Sequence, residues 1–133
     1  MQRPLLAIAA VLEGLTGVAL VLLPGFAISL LLGTAPHSDG LMIGRVGGVA
    51  LLRLGIACWW ARTESGGAAR TGTLNAITLY NAGAGLLLVV FAATGTAGSR
   101  VAGIAGVVHL VLAAAFAASR WQSASVVPAK FRS

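Results

Sequence analysis

The stretch LLAIAAVLEGLTGVALVLL, residues 5–23, decides the class of fold. Its only charged residue is Glu13, and its length is close to the ~20 residues that carry an α-helix across about 30 Å of hydrocarbon. Three more runs of this kind lie at residues 41–61, 73–94 and 101–118. Because a backbone in lipid must satisfy its own hydrogen bonds, we predict an all-α fold, a four-helix transmembrane bundle that forms a single domain.

The composition supports lipid as the solvent for these helices. Hydrophobic residues make up 58% of the chain and charged residues 9%, with a mean hydropathy of +0.94, whereas a soluble domain is usually about 25% charged. The net charge of +6 does not indicate nucleic-acid binding, because the basic residues lie mostly between the apolar runs. The single cysteine, Cys58, excludes an internal disulfide and a cysteine-based metal cluster.

Turn-forming residues separate the apolar runs. Pro24 and Gly25 end the first run, because proline clashes with the preceding helical turn and glycine adopts unusual backbone angles. Residues 26–32 are apolar but too few to cross, so we predict a short interfacial segment there. Residues 119–133 form a basic tail, predicted to be cytoplasmic. The first run is longer than the roughly 7–15 apolar residues of a signal peptide, so we expect a retained membrane anchor.

The distribution of basic residues predicts the orientation in the membrane. Six of the nine lysines and arginines flank the runs on one side, and Arg100 alone lies on the other. By the positive-inside rule, both termini are therefore expected in the cytoplasm. The six are Arg3, Arg62, Arg70, Arg120, Lys130 and Arg132. Three tryptophans fall at the same boundary and are predicted to be interface anchors: Trp59, Trp60 and Trp121.

Each predicted helix carries one polar residue at a similar depth. Counting about 1.5 Å per residue from the cytoplasmic ends places all four about 12–14 Å into the membrane. They are Glu13, Arg53, Asn81 and His109, with Tyr80 beside Asn81, and with Arg45 on the helix face of Arg53 but nearer the outer surface. Because ionisable groups inside a membrane are costly and are functional candidates, we predict a polar layer at the centre of the bundle.

An ion pair between Glu13 and Arg53 is the predicted core of this layer, with Asn81 and His109 as further hydrogen-bond partners. Two interpretations stay open: a structural ion pair that sets helix register, or a site that binds a proton or a ligand. For His109, a hydrogen-bonded structural role is favoured over a proton relay. No cofactor or metal site is predicted, because the second histidine that haem ligation would need, His37, falls in an external loop.

The chain also carries an internal repeat. In the first and third runs, Glu13 and Asn81 each precede a glycine by four residues and are followed by a Leu-Val pair. The stretch ALLRL at residues 50–54 resembles GVVHL at residues 106–110, an alignment that pairs the arginine with the histidine. We therefore predict two helical hairpins of one kind, related by an axis along the membrane normal.

Four phrases carry a resemblance to known proteins: GVALVLLPGFAISLLLGTAP, RVGGVALLRLGIACWWAR, LYNAGAGLLLVV and GVVHLVLAAAFA. Together they resemble small four-helix bacterial inner-membrane proteins, including the DoxX-like ones. This resemblance implies a bacterial inner membrane and no established activity. A lone glutamate in the first of four helices is also similar to the small multidrug resistance exporters. The pattern around their glutamate is missing here, and the second helix carries two arginines.

No nucleophile–base pair, phosphate-binding glycine loop or metal-ligand spacing appears in the sequence, so we expect a non-enzymatic protein. The leading hypothesis is an accessory or scaffold subunit, or a binder of a lipid-like or quinone-like molecule within the bundle. Its expected partners are membrane lipids and a homo-oligomer or larger membrane complex. Two alternatives stay open: a small proton-coupled transporter that uses Glu13, and a membrane-embedded enzyme that acts on a lipid or quinone, with His109 or Glu13 as acid or base.

Overall fold

The computed structural model describes residues 2–94 and 99–125, and this part of the chain is helical apart from short connections. Its five α-helices are α1 (Gln2–Leu22), α2 (Pro24–Leu32), α3 (Ser38–Ala61), α4 (Ala68–Ala93) and α5 (Ser99–Ser125). All except α2 are long and apolar enough to cross a membrane. The predicted all-α bundle of four long apolar helices is confirmed.

Several helices extend past their predicted ends. The fourth long helix, α5, runs to Ser125, so the first part of the predicted tail at 119–133 is helical. Residues 126–133, which include Lys130 and Arg132, lie outside the described residues. Between the third and fourth apolar runs, residues 95–98 lie outside the described residues, and Ser99 is the first residue of α5. Polar residues can continue a helix beyond the apolar run because the hydrogen bonds between residues i and i−4 form in water as well as in lipid.

The chain turns sharply between α1 and α2. Leu23 leaves the helix with a φ of −131°, and Pro24 begins α2 at a position where its missing N–H costs nothing. The second helix ends at Gly33, whose φ of 73° is left-handed and whose N–H donates to the carbonyl of Ser29. The segment predicted at 26–32 is therefore a helix, packed against α1, α3 and α5. Its interfacial location stays a prediction.

Two helical hairpins, α1 with α3 and α4 with α5, form the tightest packing in the bundle. In the first, a Cβ added to Gly17 would lie 2.8 Å from the Gly48 carbonyl oxygen, and one added to Gly48 would lie 2.8 Å from that of Gly17. Gly85 and Gly106 make the same reciprocal approach in the second hairpin, at 2.9 and 3.0 Å. Because these positions lack side chains, the two backbones of each hairpin pack directly against each other.

The two hairpins share one pattern of buried residues. Buried residues of α1 recur at constant spacing on α4, as Leu6 and Leu74, Ala9 and Ile77, Glu13 and Asn81, and Gly17 and Gly85. Those of α3 recur on α5, as Gly48 and Gly106, Gly55 and Ala113, Cys58 and Phe116, and Ala61 and Ser119. The number of residues between counterparts on α1 and α4 differs from the number between counterparts on α3 and α5, because only the first hairpin has α2 between its helices. The predicted repeat is therefore present in the packing of the described helices.

The register of this repeat on α3 and α5 differs by two residues from the predicted one. The sequence alignment paired Arg53 with His109. The glycine contacts instead make Leu51 the counterpart of His109, and Val111 the counterpart of Arg53. A shift of two residues turns a position on a helix by about 200°. Arg53 therefore lies on the face of α3 opposite to the face that the sequence alignment implied.

One end of the bundle, the terminal end, holds the start of α1, the α3–α4 connection and the end of α5. Gln2 and Arg70, which occupy matching positions in the repeat, form hydrogen bonds to other helices at this end. The Gln2 amide donates to the Ser119 carbonyl at 3.4 Å, and the Arg70 guanidinium donates to the matching carbonyl of Ala61 at 2.7 Å. Arg70 also donates to Gln2 Oε1 at 3.0 Å. All four long helices are joined here, opposite the α2 end.

Most of the outer surface of the bundle is apolar. Leu79, Leu87 and Ile43 are 75%, 72% and 71% exposed, and exposed large hydrophobic side chains recur along every long helix. A soluble bundle would present charged side chains at most of these positions, whereas lipid requires none. The exposed surface therefore agrees with helices that span a membrane.

Replacing Gly85 with alanine should lower the free energy of unfolding by about 1–3 kcal/mol, as overpacking typically does. The new Cβ would lie 2.9 Å from the Gly106 carbonyl oxygen, which cannot move without shifting the backbone of α5. Gly83→Ala is the matched control on the same helix, because no described atom lies within 4 Å of a Cβ there. Denaturant unfolding in mixed micelles, followed by circular dichroism, compares the two. Equal stability of both variants would contradict the glycine contact.

Candidate functional site

Two buried polar side chains lie at matching positions in the repeat, Glu13 on α1 and Asn81 on α4. Their exposed fractions are 1% and 0%. Each lies four residues before a glycine of the hairpin contact, on the same helix face, so the packing that brings the backbones together also turns these side chains inward. The interior of the bundle therefore has a polar centre, as predicted from the depths of these residues.

His109 of α5 joins Asn81 through a hydrogen bond of 2.8 Å between Nδ1 and Oδ1. The Asn81 amide nitrogen donates to the carbonyl of Ile77 at 2.9 Å. This second bond assigns the orientation of the amide, so Oδ1 is the acceptor and Nδ1 of His109 carries the hydrogen. In a neutral imidazole, Nε2 is then the acceptor. The histidine is thus hydrogen-bonded, and its structural role stays a prediction.

Tyr80 connects this pair to Glu13. Its ring meets the His109 ring edge to face, with centroids 5.6 Å apart and planes at 86°. Its hydroxyl lies beside the Glu13 carboxyl, and the two groups interact electrostatically. Four of the six predicted residues, Glu13, Tyr80, Asn81 and His109, therefore form one polar cluster that links α1 of the first hairpin to α4 and α5 of the second.

One oxygen of the polar cluster has no partner. Glu13 Oε1 is the only buried side-chain nitrogen or oxygen of the described residues that makes no hydrogen bond. Leaving a buried polar atom unpaired typically costs about 1–3 kcal/mol, and more if the group is charged. Glu13 Oε1 is therefore the acceptor that the described part of the polar cluster leaves unpaired.

Arg53 and Arg45 do not belong to the polar cluster, and the predicted ion pair between Glu13 and Arg53 is wrong. Both arginines are exposed, and neither bonds to any of the described residues. The depth of a residue along a helix does not determine the face of the helix on which it lies. Arg53 lies two residues from Leu51 and from Gly55, which α3 buries, so it points about 200° away from them.

The three tryptophans predicted as interface anchors lie near the terminal end. Trp59, Trp60 and Trp121 are 46%, 68% and 81% exposed. The Arg62 guanidinium stacks 3.5 Å from the centroid of the Trp59 ring, and its Nε donates to the Trp59 carbonyl at 3.0 Å. An exposed indole with a cation on its face suits the boundary between lipid and water. The anchoring role itself stays a prediction.

An apolar groove lies between α1, α2 and α5, and the sequence did not predict it. Its volume is about 260 Å³. Its lining comprises Thr16, Ala19, Leu20, Phe26, Ala27, Ile28, Leu30, Leu31, Leu32 and Val101. Thr16 lies three residues from Glu13, or about 4.5 Å along the helix axis. Only the packing of α2 beside α1 creates the groove, so the one available signal in the sequence was the Pro24 break.

The polar cluster should be detectable as energetic coupling. In a double-mutant cycle, Asn81→Ala and His109→Ala should be coupled by about 0.6–1.7 kcal/mol, as hydrogen bonds between membrane helices are. The cycle of Glu13→Gln with Arg53→Leu is the control and should show no coupling, because those side chains point away from each other. Free energies of unfolding measured in bicelles give the coupling energies of both cycles. Coupling in the second cycle alone would restore the ion pair and refute the cluster.

Compared with known proteins, the chain matches no family model, no curated protein and no solved structure. The geometry of the polar cluster and of the groove beside it is therefore the basis for inferring a function.

Proposed function

We propose that this chain is a multi-pass protein of the bacterial inner membrane, with both termini in the cytoplasm, that binds a lipid-like or quinone-like molecule and catalyses no reaction. The observation that carries the proposal is the unpartnered Oε1 of Glu13, one helical turn from an apolar groove. The resemblance of the sequence to small four-helix inner-membrane proteins supports the location. The basic residues at the terminal end support the orientation.

The groove accounts for the apolar part of the ligand. Thr16 is the one polar side chain in its lining, and the rest suits an alkyl or isoprenoid chain. In lipid, an apolar surface gains nothing from leaving water, so such a groove selects its ligand by shape and by polar contacts. The ligand is therefore expected to be an amphiphile, since a plain hydrocarbon chain would not be distinguished from the surrounding lipid.

Glu13 accounts for the polar part. A hydroxyl, such as that of a quinol or of a glycerol backbone, would donate to Oε1 in a hydrogen bond that is strong if the carboxyl is ionised. The axial offset of about 4.5 Å between Glu13 and Thr16 is short enough for one molecule to reach both. The remaining members of the cluster hold one another in place, which favours binding over acid–base exchange.

Glu13→Gln should reduce the amount of bound amphiphile about tenfold, the equivalent of about 1.4 kcal/mol for one strong hydrogen bond. Wild-type protein extracted in a mild detergent and examined by native mass spectrometry should carry such a molecule. The glutamine variant has the same shape, so thermal unfolding should show a folded bundle.

Leu15→Ala is the control for this experiment, because Leu15 is 67% exposed on the outer face of α1. The Leu15→Ala variant should carry as much bound amphiphile as the wild-type protein. A wild-type protein that carries no amphiphile, or a glutamine variant that carries as much as the wild type, would remove the proposed function.

A second candidate function is proton-coupled transport through Glu13. An arginine beside this carboxyl would hold it ionised and unavailable to protons. Arg53 points away from this carboxyl, so Arg53 does not hold it ionised. The Tyr80 hydroxyl beside the carboxyl carries no charge, so it leaves the carboxyl able to exchange a proton.

For this candidate, proteoliposomes with an imposed pH gradient should accumulate a cationic dye such as ethidium. Glu13→Gln should abolish the accumulation, because the amide cannot carry the proton. Arg53→Leu should leave it unchanged, since that side chain is remote from the carboxyl. Accumulation equal to that of empty liposomes in the wild type would eliminate transport of this class of solute.

A further inference from the structure

The outer face of α3 carries two charges where lipid is expected. Arg45 and Arg53 are both exposed, and neither bonds to the described part of the chain. The counterparts of these residues on α5 are Gly103 and Val111, so the second hairpin has no such charges. A charged side chain inside a membrane almost always faces a protein interior, a water-filled cavity or a partner.

The two arginines differ in how easily they can reach water. Arg45 lies seven residues from the start of α3, about 10 Å, and Arg53 lies eight residues from its end, about 12 Å. Side chains on a helix lean toward its N-terminus. Arg45 therefore leans toward its nearer boundary and can extend to the headgroups, whereas Arg53 leans toward the middle of the membrane. Arg53 is the residue that needs a partner.

A second copy of this chain cannot supply that partner. The whole sequence has three acidic residues, Glu13, Asp39 and Glu64. The first is buried in the polar cluster. Asp39 lies in the first turn of α3, and Glu64 lies in the connection after it. No carboxylate of a neighbouring copy in the same orientation would therefore be exposed at the depth of Arg53.

The surface around Arg53 has room for another helix. Ala50 lies one turn before Arg53 and is small enough to let a second backbone approach. Ile56 and Trp60 lie one and two turns after it on the same face, and both line a groove of about 420 Å³ between α3 and α1. The charge thus lies at the edge of a concave apolar surface.

We propose that this face of α3 binds a transmembrane helix of a different membrane protein, and that an aspartate or glutamate of that helix pairs with Arg53. Charge complementarity selects this partner, because the chain has no exposed carboxylate of its own at that depth. The interface requires that the four long helices span the membrane, but it does not depend on the amphiphile proposed above.

Photocrosslinking in the native membrane tests the proposal. A photoreactive amino acid at Ala50 should crosslink one protein, at a peptide from a transmembrane segment that contains Asp or Glu. Val108 is the matched control, because it is the counterpart of Ala50 at the same depth on α5, where there is no arginine. It should not crosslink that protein.

Substitution at Arg53 then tests the charge. Arg53→Leu should reduce the crosslink about tenfold, as expected for the loss of one strong polar contact between membrane helices, and Arg53→Lys should retain most of it. Arg53→Glu combined with arginine at the carboxylate of the partner should restore it. Thermal unfolding confirms that the variants are folded, as expected because Arg53 is exposed and makes no hydrogen bond or ion pair with the described residues.

Three results would overturn the proposal: crosslinks to lipid or to a second copy only, a crosslinked segment without a carboxylate, or a yield that Arg53→Leu does not change. Loss of the amphiphile in Glu13→Gln with the crosslink intact would support this interface independently of the proposed function.

Discussion

Two reciprocal contacts between glycine backbones, Gly17 with Gly48 and Gly85 with Gly106, are the constraint on which the bundle depends. In lipid, no transfer of apolar surface from water drives helices together, so close packing and polar contacts must do so. A side chain at any of these positions would separate the helices. The contacts also set the register of each hairpin, and register determines which residues meet. Glu13 and Asn81 face the interior because each lies one turn before a glycine of its hairpin contact.

The polar cluster follows from this register and from a difference between the two hairpins. The matching positions hold a carboxyl in the first and an amide in the second. The amide of Asn81 finds His109 on the neighbouring helix of its own hairpin. The counterpart of His109 on α3 is Leu51, which offers no hydrogen bond. Among the described residues, Glu13 therefore interacts with Tyr80, across the interface between hairpins, and its Oε1 stays unpaired.

The features that suggest function lie where the first hairpin departs from the second. The first hairpin has an additional helix, α2, which forms the apolar groove with α1 and α5. It also has the two exposed arginines on α3. The glycine contacts, the buried small residues and the ties at the terminal end recur in both hairpins and account for folding. A repeat that keeps its packing residues can vary the others without losing the fold, because packing in lipid depends on few positions.

The sequence by itself determined the four long helices, the break at Pro24, and the set of polar residues at a common depth. These follow from the length and polarity of each run and from the fixed rise of a helix, which are local properties. Only the tertiary structure decided which face of each helix turns inward. The predicted partnership of Glu13 with Arg53 failed for that reason, because depth is set by distance along one helix, whereas contact also requires rotation about its axis. That rotation is set by the glycine contacts, which join residues far apart in the chain.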